Sequence, residues 1–79
     1  MARPLHVIAV QIMGSWNRMS PYAAPYVSAM LELDSINGMY YQDTAREIVM
    51  RFLANAQSWR GAVARDVKKE LKGMLDNVN

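Results

Sequence analysis

Apolar residues recur along this chain mostly at the three-to-four-residue spacing of helices. In RPLHVIAVQIMGSWN, Leu5, Ile8, Ala9, Ile12, Met13 and Trp16 fall on one helical face, and Pro4 suits the first helical position, where an N–H has no partner anyway. A doubly buried strand is the rival for residues 5–13, because Val7, Ile8, Val10 and Ile12 are β-branched and the run is apolar on both parities. The unbroken stripe to Trp16, and the lack of a second strand-like run to pair with, favour the helix.

NRMSPYAAPY is a break, and a second helix begins near Pro25 with Tyr26, Ala29, Met30, Leu33 and Ile36 inward and Asn37-Gly38 as terminator. GMYYQD reads as a connector. Thr44 and Glu47 have capping-box spacing, with Asp43 as a competing cap, and open a third helix whose inner face is Ala45, Ile48, Val49, Phe52, Leu53 and Ala56. Ser58 is the expected N-cap of a fourth, with Val63, Val67, Leu71, Met74 and Val78 inward and Gly73 as a candidate terminator. The pattern predicts an all-α, compact single domain over residues 1–79, made of three to four short helices that are stable only when their stripes pack together.

Composition adds limits. The chain is 52% hydrophobic and 20% charged, a globular balance, but a domain this small buries only ~60–65% of the surface its unfolded chain exposes. There are no cysteines and one histidine, His6, so thiolate and imidazole metal clusters are excluded and no cofactor is expected. His6 has no acidic neighbour in sequence and reads as structural or exposed. The uncharged stretch 4–17 is shorter than the ~20 apolar residues of a membrane span, and Gln11 and Asn17 interrupt any signal-peptide core. The expectation is a soluble, cytoplasmic protein that makes no membrane contact.

Charge is unevenly placed: residues 1–58 carry four basic and four acidic side chains, residues 59–79 five and three. On the fourth helix Arg65, Lys68, Lys69 and Lys72 share an arc of roughly 100° opposite the apolar stripe, with Arg60 just before them. Such a ridge suits an acidic protein patch or a polyanion, and it equally suits a merely solvated face interleaved with Asp66 and Glu70. Nucleic-acid binding is the second reading, weakened because the helix opens on Trp59, Arg60, Gly61 and Ala62 rather than on base-reading side chains, and because no aromatics follow for bases to stack on. Trp59 and Gly61 read as a packed corner, the glycine admitting a close neighbour.

The first helix is apolar nearly all round, because Val7, Val10 and Gly14 lie opposite its core stripe. Either the domain wraps that face or it meets another molecule, a second copy included, so a homo-oligomer is a third reading. Met50, on the polar side of the third helix, is a further candidate for such an apolar interface. No nucleophile sits beside a base, no phosphate loop is present, and a domain this size has little room for a pocket of ~300 Å³, so an enzyme is not expected.

PYAAPYVSAMLELDSI and TAREIVMRFLANAQSWRGAVARDVKKELKGML resemble small, all-helical accessory proteins of tailed bacteriophages over about residues 20–75. The likeness lies in the Pro-Tyr pairs before Leu-Asp-Ser, Phe52-Leu53, Ser58-Trp59-Arg60-Gly61 and the Val-Ala-Arg run, and carries no catalytic residue. It implies an inhibitor or modulator that binds a bacterial host protein or nucleoprotein complex of the host defence stoichiometrically in the host cytoplasm, as anti-CRISPR proteins do. Many such inhibitors are acidic mimics of nucleic acid. This chain is basic, so the implied contact is with an acidic protein patch or with nucleic acid itself.

Overall fold

The structure, a computed structural model, describes residues 3–76; Val78, assigned above to the last inner stripe, lies outside the described residues. Among these, the elements run α1 (Leu5–Ser15), α2 (Ala24–Met30), β1 (Met39–Tyr40), β2 (Asp43–Thr44), α3 (Ala45–Ala54) and α4 (Ala62–Asp76). The fold is mostly helical but not all-α, since the segment expected as a connector pairs with itself. Met39 faces Thr44 and Tyr40 faces Asp43 in an antiparallel hairpin. Its turn holds Tyr41 at φ 55°, a left-handed conformation that the Tyr-Tyr sequence does not advertise.

Residues 5–13 are helical. Leu5, Ile8, Ala9 and Ile12 are fully buried on one face, whereas Met13, expected inward, is exposed. Pro4 stands one position earlier than expected, as the N-cap, and no side chain caps this helix. Its first N–H groups are satisfied from a distance: those of Leu5 and His6 donate to the carbonyls of Asp34 and Leu33, each at 2.9 Å. That docking accounts for the early end of α2 at Met30 instead of Asn37. The Leu33 N–H bonds back only three residues, to Met30, and tightens the last turn. Leu33 is then buried outside the helix while its carbonyl turns to α1.

α3 follows its sequence pattern closely. Thr44 is the N-cap, not Asp43; its Oγ1 accepts from the Glu47 N–H at 3.1 Å, and Glu47 Oε1 accepts from the Thr44 N–H at 3.3 Å. Ile48, Val49 and Phe52 are buried, with Ala56 beyond the helix end. At the centre of the molecule the indoles of Trp16 and Trp59 stack 5.4 Å apart, and the Phe52 ring meets both edge-on at 6.4 and 6.3 Å. Trp16, distant in sequence from the other two, thus ties the end of α1 to α3 and to the segment before α4.

One ion pair spans the ends of the chain. Arg3 Nη2 lies 2.6 Å from Glu70 Oε1 and also donates to Gln11 Oε1 at 2.8 Å, which fastens α1 to α4. The hydrogen bonds from Arg3, and after them its charge, hold the Glu70 carboxyl below its ordinary value against the opposing effect of burial. Because the folded state binds this proton less tightly than the unfolded chain, the pair stabilises fully above about pH 4.5 and is lost as pH falls through the lowered folded value. Both side chains are part-exposed, so its worth is about 0.5–1 kcal/mol. Urea midpoints between pH 7 and pH 3 should therefore fall less steeply in Glu70→Gln than in the natural chain; identical slopes would remove the pair from the acid response.

Candidate functional site: a basic trough along the last helix

The site begins at the corner between α3 and α4. Asn55 ends α3, Ala56 is buried, and the Trp59 N–H donates to the Ala56 carbonyl at 3.0 Å, closing a turn that drives the indole inward. Ser58 is exposed in this turn and does not cap α4, which starts three residues later than expected. Gly61 lies outside the helix at φ 115°, with open space where a side chain would stand. Its role is therefore the backbone reversal that only glycine adopts easily, not the close approach expected from sequence. The helix then winds, the Arg65 N–H donating to the Gly61 carbonyl at 3.0 Å.

α4 buries Ala64, Val67, Leu71 and Met74. Val67, Leu71 and Met74 are buried as expected, and the difference lies at the first turn, where Ala64 rather than Val63 leads the stripe: Val63 is exposed, and Lys68 is half-buried. Gly73 does not terminate the helix, which runs through it to Asp76. Half-buried Lys68 donates from Nζ to the Trp59 carbonyl at 2.6 Å. Burial, and after it the charges of Lys72 and Arg60, keep its ammonium below the usual lysine range. Lys68 is thus a strut of the corner as well as a member of the ridge, a correction to its reading as a free surface cation.

Arg60, Arg65, Lys69 and Lys72 are exposed, and among the described residues none of them is in an ion pair. Trp59, Arg60, Gly61, Ala64, Arg65 and Lys68 line an open concavity of about 310 Å³. Arg65, Lys68, Lys69, Lys72, Gly73 and Asp76 line a second of about 530 Å³. Both reach volumes that the size of the chain argued against, but as surface grooves between long side chains rather than as enclosed clefts. Asp76 was not among the sequence candidates; its position one turn beyond Lys72 is the signal that placed it there.

The other candidates lie elsewhere. Val7, Val10 and Gly14 stay on the outer face of α1, with Val10 61% exposed, so the described residues do not wrap this helix a second time. Met50 is exposed on α3, as its polar neighbours implied. His6 does gain an acidic neighbour, Asp34, with Nε2 to Oδ1 at 3.1 Å, brought in by the turn that caps α1. Among the described residues no three His, Asp or Glu side chains converge as metal ligands, and no helix is long and apolar enough to cross a membrane. No protein-family model, curated protein or solved structure matches the chain.

Proposed function

We propose that this chain is a non-enzymatic interaction protein that docks an acidic surface of a partner protein on the basic trough of α4. The observation that carries the reading is the set of four exposed cations, Arg60, Arg65, Lys69 and Lys72, that have no ion-pair partner among the described residues and border two adjoining grooves. Several cations held on one rigid helix steer an acidic partner and set its orientation, and docking replaces water by carboxylates without first breaking internal pairs. The likeness to phage accessory proteins supports looking for that partner in a bacterial host, where the chain would inhibit or modulate a host protein or defence complex. Against the nucleic-acid alternative stands Trp59: only 3% exposed and stacked on Trp16, it offers no platform for a base.

The test is capture of a partner from bacterial lysate, with and without nuclease, by the natural chain and by Lys69→Glu/Lys72→Glu. Both lysines are exposed and form no ion pair among the described residues, so the double variant should keep its helical circular dichroism and lose the captured protein. Capture that persists unchanged in the variant overturns the reading. Capture that disappears with nuclease replaces it by the nucleic-acid alternative, whose affinity should also fall steeply with salt.

A further inference from the structure

The two grooves share Arg65 and Lys68, which makes them one trough running along α4 from the Trp59 corner to Asp76. From Gly61 to Asp76 the helix rises about 22 Å at ~1.5 Å per residue, the length of roughly six to seven residues of extended chain. The trough is basic along most of its length and acidic only at its tip. Arg60, Arg65 and Lys68 line the corner groove, where the opening turn of the helix adds its own positive end; Lys69 and Lys72 continue the cations along the second groove, and Asp76 is the one acidic side chain lining it. Gly73, with nothing within 4 Å of its missing side chain, leaves the floor near that end open.

We infer that this trough takes an extended acidic peptide segment of roughly six to seven residues, with its carboxylates set along the cations from Arg60 to Lys72 and a neutral or basic residue set against Asp76. This rests on the reading of the basic face as a protein-docking surface and specifies what it recognises. A nucleic-acid backbone carries a charge at every step and would press one of them on Asp76. A polypeptide places a basic side chain there instead, and that freedom favours a peptide as the occupant.

Fluorescein-labelled peptides Glu-Glu-Glu-Glu-Glu-Lys and Lys-Glu-Glu-Glu-Glu-Glu, identical in composition and opposite in order, provide the test by fluorescence anisotropy at low salt. One order should bind the natural chain about threefold more tightly, in keeping with one exposed charge pair, and Asp76→Asn should erase the difference. Lys69→Glu/Lys72→Glu should weaken both peptides by about tenfold or more, whereas Arg18→Glu/Arg51→Glu, an equal change in net charge away from the trough, should leave both bound. Equal affinity for the two orders, a preference that survives Asp76→Asn, or tighter binding of a short DNA duplex overturns the inference. If the lysine variant loses its partner from lysate while neither peptide binds the natural chain, the inference fails and the docking reading stands. If the Arg18/Arg51 variant weakens as much as the lysine variant in both assays, net charge alone explains binding and both fail.

Discussion

Replacing Trp59 by alanine is expected to cost about 3–5 kcal/mol, the range for removing a large buried aromatic. The indole is almost wholly buried, stacks on Trp16 at 5.4 Å and meets the edge of Phe52 at 6.3 Å, so its loss empties the junction of α1, α3 and the corner before α4. A domain of this length is worth roughly 4–12 kcal/mol in all at ~0.05–0.15 kcal/mol per residue. The variant should therefore melt at least ~12 °C lower, and should lose the near-ultraviolet circular dichroism that comes from the stacked indoles. A melting point within a few degrees of the natural chain would mean that Trp59 does not hold the corner.

Lys68 and Lys69, adjacent in sequence, are expected to part when each is changed to glutamate. Lys68 donates to the Trp59 carbonyl at 2.6 Å from a half-buried position, so Lys68→Glu removes a charged donor and sets a carboxylate against a carbonyl oxygen. Discounted for partial exposure, the loss is about 1–2 kcal/mol. Lys69 is exposed and makes no such bond, and Lys69→Glu should stay within about 0.5 kcal/mol of the natural chain. Urea denaturation separates the two. If both substitutions prove neutral, the strut is not formed in solution, and Lys68 returns to the docking face as a free cation. If they separate as expected, charge reversal at Lys68 is a poor test of binding because it disturbs the corner, and Lys69 with Lys72 is the pair to use.

The α3 cap and stripe, the helical state of residues 5–13 and the basic character of the last quarter were legible in the amino-acid order. Each is decided within about one helical turn, by the Thr44–Glu47 spacing, by apolar residues three and four apart and by the run of lysines. What was not legible depends on partners far along the chain. The early end of α2 follows from the need of α1 for the Leu33 and Asp34 carbonyls, and the hairpin turn needs Tyr41 in a left-handed state that its side chain does not favour. The late start of α4 follows from stacking Trp59 on Trp16, which lies forty-three positions earlier (59 − 16).

The candidate site divides the same way. Its cations were visible as a helical arc because a face is a local property. Val67, Leu71 and Met74 face inward as their spacing implies, whereas the choice of Ala64 over Val63 at the first turn and the bond of Lys68 to the Trp59 carbonyl are set by tertiary contacts at the corner, which local spacing does not contain. Local order therefore determined which segments coil and what charge they carry. The tertiary structure decided where they stop, which way they face and which cations are left free, because those outcomes belong to the balance of burial over the whole chain.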